Sequence, residues 1–289
     1  MARSRSPSCA SAAFTVGTET MAFLNTSEAA ANGRLLRLVI LPVGFALATI
    51  ALWQILCQAL HIPPVLLPPP SDVWTVLRGN YAILFDETLP TLNESIASFI
   101  VASVLGVGLA IALTFSAWVR EALYPNIIMF QLIPKIALAP LFIVWLGVGE
   151  TTSIVVAVFI AFFPIVVSSV TGLVSAKPEV LRLCQSLTAS EWQAFRMVRF
   201  PYAVPYIFAG MKVGVTMAMI GVVVGEFITA QHGLGYIIMF AAGASETATV
   251  LAAIVLLCVI GLGLYGIVGL AEWLALRSYG GAMPISGVI

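Results

Sequence analysis

The chain has 289 residues, of which 61% are hydrophobic and 9% are charged, and its formal net charge is zero. Because soluble domains carry about 25% charged residues, this composition excludes a water-soluble globular domain and predicts an integral membrane protein. The balanced charge also gives no indication of nucleic-acid binding.

The two ends of the chain differ in composition from the rest. Residues 1–33 are rich in Ser, Ala, Thr and Asn, and they lack the apolar run that a signal peptide needs. We predict a disordered cytoplasmic tail over 1–33, in which Met21 is an alternative start, and a second tail over 281–289. The membrane domain is predicted between them, over 34–280.

Several apolar segments reach the length of about 20 residues that a membrane-spanning helix needs. The predicted fold is therefore an all-α integral membrane protein with six transmembrane helices and a cytoplasmic loop between the fourth and the fifth. The spans are predicted over residues 35–60, 92–118, 121–146, 152–174, 202–230 and 247–276.

The distribution of basic residues predicts the orientation, since Lys and Arg concentrate on the cytoplasmic side of a membrane protein. Of the 13 basic residues, only Arg78 lies outside if the N-terminus is inside, and Lys135 and Lys212 lie within spans. We therefore predict a multi-pass protein with both termini in the cytoplasm. The remaining basic residues, all inside, are Arg3, Arg5, Arg34, Arg37, Arg120, Lys177, Arg182, Arg196, Arg199 and Arg277.

Two prolines interrupt the third span. Pro134 and Pro140 break the helical hydrogen-bonding pattern, and irregular backbone at membrane depth is tolerated only where protein or a water-filled cavity covers it. Lys135 lies between them, so we predict that it faces a path through the membrane. A kink that only aids packing is the alternative.

The fifth span combines small residues with two charges. Its glycines, together with Ala218, fall on one helical face, and small residues let membrane helices approach closely. This face is predicted to pack on another helix, either within the chain or across a dimer. Charges inside a membrane are costly and indicate function: Glu226 either lines the path or caps and pairs, and Lys212 extends toward the cytoplasmic end. The glycines are Gly210, Gly214, Gly221 and Gly225.

Motifs for common chemistry are absent from the sequence. It contains no HExxH pair, no GxSxG elbow and no GxxxxGK[ST] loop, and none of its lysines follows a glycine. We expect no catalytic residue, metal or cofactor in this chain. Work driven by ATP would require a separate subunit.

The loop between the fourth and fifth spans contains signals for two short helices. Pro178 and Glu179 suit a first turn, and Ser190 with Gln193 forms a capping-box pattern. Pro201 and Pro205 are predicted to close the segment. Its apolar face predicts docking into a groove; a helix pair lying on the inner leaflet is the alternative.

This loop resembles the cytoplasmic EAA loop of permease subunits from bacterial ABC importers. That motif reads EAA, three residues, Gly, nine residues, then I-x-L-P. Val198, Phe200 and Pro201 match its end, and "ASEWQAFRMVRFPYAVPYIFAGMKVG" is similar to the family. The EAA triplet falls on residues 182–184 and the glycine on Thr188, where the sequence departs from the motif.

Further segments resemble the nitrate, sulfonate and taurine branch of these permeases, so that the resemblance covers residues 35–277. They are "LPPPSDVW", "PKIALAPLFIVWLGVG" and "VVVGEFITAQHGLGYII". The resemblance makes 176–201 a coupling loop that docks an ATP-binding subunit. The residues assigned to docking are Leu187, Ser190, Trp192, Phe195, Arg196, Arg199 and Pro201.

The resemblance also implies partners and a function. A permease homodimer in the bacterial inner membrane would rest on a dimer of ATPases, which bind ATP and Mg²⁺, and would receive solute from an extracytoplasmic binding protein. Alternating access would import a nitrate-, sulfonate- or taurine-like anion; a pyrimidine vitamin precursor or riboflavin is the alternative. A stand-alone carrier or channel, or a membrane-embedded enzyme, explains fewer of the features.

The departures from the motif have predicted costs. Arg182 replaces an acidic residue, so a contact with a basic site on the ATPase would become repulsive. Thr188 replaces glycine, so a turn that needs a positive φ would be strained. We expect docking to depend mainly on the helix that contains Trp192 and Arg199; a matching, altered ATPase is the alternative.

Overall fold

A computed structural model describes residues 40–229 and 231–278 of the chain. The predicted tails over 1–33 and 281–289 lie outside the described residues, as do the predicted domain limits at 34 and 280. The described residues form two compact units. One contains those up to Ile62 together with Pro69–Ser71, and the other contains Pro63–Pro68 and the described residues from Asp72 onward.

Helices make up both units, and no strand occurs in the described part of the chain. A 3-10 turn (Lys135–Leu138) precedes α5, and a π turn (Phe195–Arg199) joins α8 to α9. In chain order the helices are α1 (Ile40–Ala59), α2 (Pro70–Gly79), α3 (Tyr81–Phe115), α4 (Ala117–Leu132), α5 (Ala139–Leu146), α6 (Glu150–Val174), α7 (Pro178–Ser186), α8 (Glu191–Ala194), α9 (Phe200–Thr229), α10 (Leu234–Gly243) and α11 (Thr247–Ser278).

The predicted number of spans is confirmed when the broken segment is counted as one. Five helical segments are long and apolar enough to cross a membrane: α1, α3, α6, α11 and the continuous run Glu191–Ile228. The sixth consists of Ala117–Leu132 and Lys135–Leu146, which meet at an angle of 86°. Pro134 precedes the 3-10 turn and Pro140 lies in the first turn of α5, so the break falls where the prolines predicted it.

The predicted start of the second span is wrong. That span begins at Tyr81, and Pro90 lies inside it; in its polar first part, Glu87 and Thr91 contact the start of α10, and Thr91 also contacts Glu226 of α9. The preceding helix, α2, begins at Pro70, and proline suits a first helical position.

The core consists of α3, α6 and α9, and the glycine face of α9 packs against α6 of the same chain. A Cβ added at Gly221 would lie 2.5 Å from the Cα of Ala157. One added at Gly225 would lie 2.6 Å from the Cα of Ser153. Gly210 and Gly214 are equally close to Ser168 and Ile165 on α6. The glycine face was predicted to pack either within the chain or across a dimer. In the structure it packs within the chain, on α6.

Candidate functional site

The 176–201 loop begins as the sequence predicts. Pro178 opens α7 and Glu179 lies in its first turn. After α7 ends at Ser186, the chain turns through Thr188, whose φ is +56°. The amides of Thr188 and Ala189 donate to the carbonyls of Gln185 and Cys184, each at 3.0 Å. The position aligned with the family glycine thus adopts the left-handed conformation that favours glycine.

The predicted capping box is confirmed. Ser190 Oγ accepts from the amide of Gln193 at 3.2 Å, and Gln193 Oε1 accepts from the amide of Ser190 at 2.8 Å. The prediction that Pro201 and Pro205 close this segment is wrong, because the helix continues from Glu191 to Ile228. A π turn ends at Arg199, two residues before Pro201, whose missing amide interrupts α-helical bonding.

The seven residues assigned to docking fall into two groups. Leu187 and Trp192 are 71% and 59% exposed, and Arg196 is also exposed. By contrast Phe195 is only 6% exposed, Ser190 is engaged in the capping box, and Arg199 and Pro201 are half-buried. The accessible surface of the loop is therefore apolar and charged, since Glu179 and Glu191 are exposed as well as Arg196.

Aromatic rings join this surface to the core. Trp192 stacks on Phe195 with ring centroids 5.4 Å apart, and Phe115 at the end of α3 lies 5.0 Å from Phe195. Phe195 also belongs to a buried cluster with side chains of α3, α6 and α9. The cluster contains Ala110, Leu113, Val166, Val170, Leu173, Ala203 and Ile207.

At the opposite end of the bundle, polar groups fix the start of α10. Thr91 Oγ1 donates to Glu226 Oε1 at 2.6 Å, and the amide of Gly235 donates to Glu226 Oε2 at 2.7 Å. The amide of Leu234 donates to Thr91 Oγ1 at 2.8 Å, and that of Gly233 donates to Glu87 Oε2 at 2.6 Å. Carboxylates at a helix N-terminus satisfy its free amides. We call this group the α10 anchor.

Within the α10 anchor, Glu226 is buried and hydrogen-bonded through both of its carboxylate oxygens. Its side chain is 1% exposed, and both carboxylate oxygens are engaged within the chain. These contacts agree with the prediction that Glu226 caps and pairs within the chain. That Glu226 lines a path through the membrane stays a prediction. Gly233, with φ +105°, and Gly235 are needed here because a Cβ at either would overlap the side chain of Glu226.

The two intramembrane lysines have different surroundings. Lys135 Nζ donates to the carbonyl of Gln131 at 3.2 Å and lies 5.3 Å from the ring centre of Phe163. Its role in the path stays a prediction. Lys212 forms an ion pair with Glu272 of α11, a partner that the sequence analysis did not identify.

Sequence reasoning also missed a row of polar residues on α3. Glu87, Thr91, Glu94 and Ser98 recur at steps of four, three and four residues, and Ser95 lies four residues after Thr91, which places all five on one helical face. Glu94 and Glu150 line a cavity beside the α10 anchor. The periodicity alone marks this face as buried against protein.

Six spans, a broken third span and an exposed helical loop define the membrane-embedded subunit of a transport system. The chain belongs to the family of binding-protein-dependent transport system inner membrane components, whose model matches residues 102–272. It is therefore a transport permease subunit and a multi-pass membrane protein.

Two curated relatives and one solved structure illustrate the family. The chain is 34% identical to the riboflavin transport system permease protein RibX of Chloroflexus aurantiacus, over 82% of this chain and 89% of that one. It is 30% identical to the taurine transport system permease protein TauC of Escherichia coli, over 78% of this chain and 84% of that one. The inward-facing MetNI methionine ABC transporter shares the fold, with a TM-score of 0.57 at 19% identity, over 68% of this chain and 95% of that one.

Proposed function

We propose that this permease works in an ATP-driven importer and that the 176–201 loop docks a separate ATP-binding subunit. The observation that carries the proposal is the exposed Trp192, which stacks on Phe195 while Phe195 lies in the core. A large exposed aromatic side chain is a typical anchor of an interface. Here it connects directly to the packing of α3, α6 and α9.

Charge indicates the kind of groove that would receive the loop. Arg182 and Arg196 are exposed, and Arg199 is half-buried. Glu179 and Glu191 are exposed beside them, so the charged side chains around the apolar anchor would be complemented by a rim that carries both acidic and basic groups. Leu187 and Met197 extend the apolar surface, so that docking would use the turn after α7 as well as the helix that follows it.

The family assignment supports a proposal for the rest of the assembly. We propose a permease homodimer with an ATPase dimer on the cytoplasmic side and a solute-binding protein on the other side of the bacterial inner membrane. ATP and Mg²⁺ would bind in the ATPase, and both termini would be cytoplasmic. Closure of the ATPases would displace the loop and drive alternating access of the spans.

Two solute classes have support. A nitrate-, sulfonate- or taurine-like anion is favoured by Lys135 in the broken span and by the similarity to TauC. A riboflavin- or pyrimidine-like solute is favoured by the similarity to RibX. No observation favours a stand-alone carrier or channel over a subunit of an importer.

Replacement of the aromatic anchor tests the docking proposal. We expect Trp192→Ala to weaken binding of the ATP-binding subunit by about tenfold or more, since truncated hot spots cost about 2 kcal/mol or more. Binding is measured by titrating the purified partner onto the permease in nanodiscs. ATP hydrolysis stimulated by the loaded solute-binding protein should fall in parallel.

Trp273→Ala is the matched control, because Trp273 is 54% exposed on α11 and lies outside the loop. It should leave ATPase binding unchanged. Equal ATPase binding by the wild type, Trp192→Ala and the control would contradict docking through this loop.

A further inference from the structure

The end of the bundle opposite the 176–201 loop contains a cavity of about 220 Å³. Since one water needs roughly 10–15 Å³ of such space, the cavity accommodates several waters or one small organic group. It is lined from α3, from the start of α6 and from the segment after α9, by Pro90, Glu94, Gly149, Glu150, Gln231 and His232.

Glu94 is the unusual residue of this lining. It is 6% exposed, and its Oε2 is buried without a hydrogen-bond partner among the described residues. Burial of a carboxylate oxygen without a donor is strongly unfavourable. Buried polar atoms without partners are rare in native proteins, and each requires an explanation.

Neighbouring carboxylates at this end receive donors from the chain itself. Both oxygens of Glu226 accept hydrogen bonds, and Glu87 accepts from the amide of Gly233. Ser98 is one turn from Glu94, but its hydroxyl donates to the main-chain oxygen of Glu94. The Glu94 Oε2 therefore has no partner among the described residues, and the cavity that Glu94 lines is the side from which one can reach its carboxyl group.

The lining also restricts the chemistry of that donor. Glu94 and Glu150 both contribute carboxyl groups, which disfavour an anionic group and favour a cationic or N–H-bearing one. A metal ion is a poor candidate, because the described residues include no cluster of three or more His, Cys, Asp or Glu placed to hold one. Among organic donors, a positively charged N–H group complements two carboxyl groups better than a neutral hydroxyl does, because charge-assisted hydrogen bonds are the stronger ones.

We infer that Glu94 binds the transported solute and that the cavity receives an ammonium, amino or imide group of it. The inference rests on the proposed transport function and narrows the solute class. Solutes with an N–H donor are accepted, whereas simple anions are not. Taurine carries an ammonium group and riboflavin an imide N–H, but nitrate carries neither.

Matched solutes test the inference in the reconstituted complex of permease, ATPase and solute-binding protein. The probes are taurine against isethionate, in which a hydroxyl replaces the ammonium, riboflavin against 3-methylriboflavin, and nitrate. We expect ATP-driven uptake of the N–H-bearing member of one pair to exceed that of its partner by about tenfold or more. Glu94→Met should lower this preference by about fivefold or more.

Two variants separate solute binding from folding. Methionine replaces a buried carboxylate with apolar volume and does not leave a buried charge unpaired, and Glu94→Gln keeps an acceptor and should restore part of the preference. Glu246→Met is the control, since Glu246 is exposed at the same end and does not line the cavity. It should retain the wild-type preference.

The outcomes distinguish this inference from the proposed function. Uptake of nitrate or isethionate at the highest rate, or an unchanged preference in Glu94→Met, overturns the inference and leaves ATP-driven transport intact. A permease that neither binds the ATP-binding subunit nor supports ATP-driven uptake of any probe contradicts both.

Discussion

Thr188 has the least favourable backbone conformation in the turn between α7 and α8. Its φ of +56° places a β-branched side chain in the left-handed region, where such residues are outliers. Conformations of this kind cost roughly 1–3 kcal/mol and persist only where the surroundings impose them. The strain predicted from the aligned glycine position is therefore present, and it lies within the proposed docking surface.

We expect Thr188→Gly to stabilise the protein by about 1 kcal/mol, because relief of the strain exceeds the entropy that glycine adds to the unfolded chain. For a chain of this size the unfolding midpoint should rise by roughly 2–4 °C. Thermal unfolding in detergent, followed by intrinsic fluorescence, measures this. Thr171→Gly is the matched control, and it should lower the unfolding midpoint because Thr171 is exposed within α6, where glycine is unfavourable. A lower midpoint for Thr188→Gly than for the wild type would show that Thr188 is not strained.

Among the helices, α6 and α9 make the closest approach in the core. Four glycines of α9 bring its backbone against α6: Gly210 meets Ser168, Gly214 meets Ile165, Gly221 meets Ala157 and Gly225 meets Ser153. Membrane helices lack a hydrophobic driving force between them, so close packing of small residues supplies much of their association. The fixed spacing of the two helices depends on this face.

Addition of one methyl group tests the face. Gly221→Ala places a Cβ 2.5 Å from the Cα of Ala157, and such overpacking costs about 1–3 kcal/mol. Gly266→Ala on α11 should be neutral or stabilising, because a Cβ there meets nothing within 4 Å. The midpoint of thermal unfolding is the measurement, and equal midpoints for the two variants would argue against tight α6–α9 packing.

Sequence patterns predict local features of these elements well and contacts between elements poorly. The capping box of Ser190, the break around Pro134 and the glycine face follow from short-range rules that the structure obeys. The α10 anchor does not, because Glu87 and Glu226 meet only after α3 and α9 are packed. The same holds for the partner of Lys212 and for the cavity at Glu94, which three separate segments enclose.

The helix limits are also predicted poorly where they depend on contacts between elements. The predicted start of the second span at residue 92 is wrong because the polar residues before it lower the local hydropathy, although Glu87 and Thr91 make contacts within the protein. The continuation of the helix through Pro201 was missed because a π turn has no reliable sequence signal. Chain-level periodicity identified the spans, and tertiary packing determined where they begin.

For the whole molecule, the orientation in the membrane is predicted by the basic residues. A cysteine at Leu187 should be labelled by a membrane-impermeant maleimide only from the cytoplasmic side, and one at His232 only from the opposite side. Both positions are exposed. The experiment uses the full chain without its native cysteines, in spheroplasts and in inverted vesicles; the reverse labelling pattern would show the opposite orientation.

The unbroken helix from Glu191 to Ile228 has a mechanical consequence. Its 38 residues span about 57 Å at 1.5 Å per residue, so the helix is a lever with Trp192 at one end and Glu226 at the other. The glycine contacts with α6 lie along its second half, and the helix would tilt about these contacts. A tilt of about 5° over that length displaces one end by about 5 Å relative to the other, comparable to one helical turn.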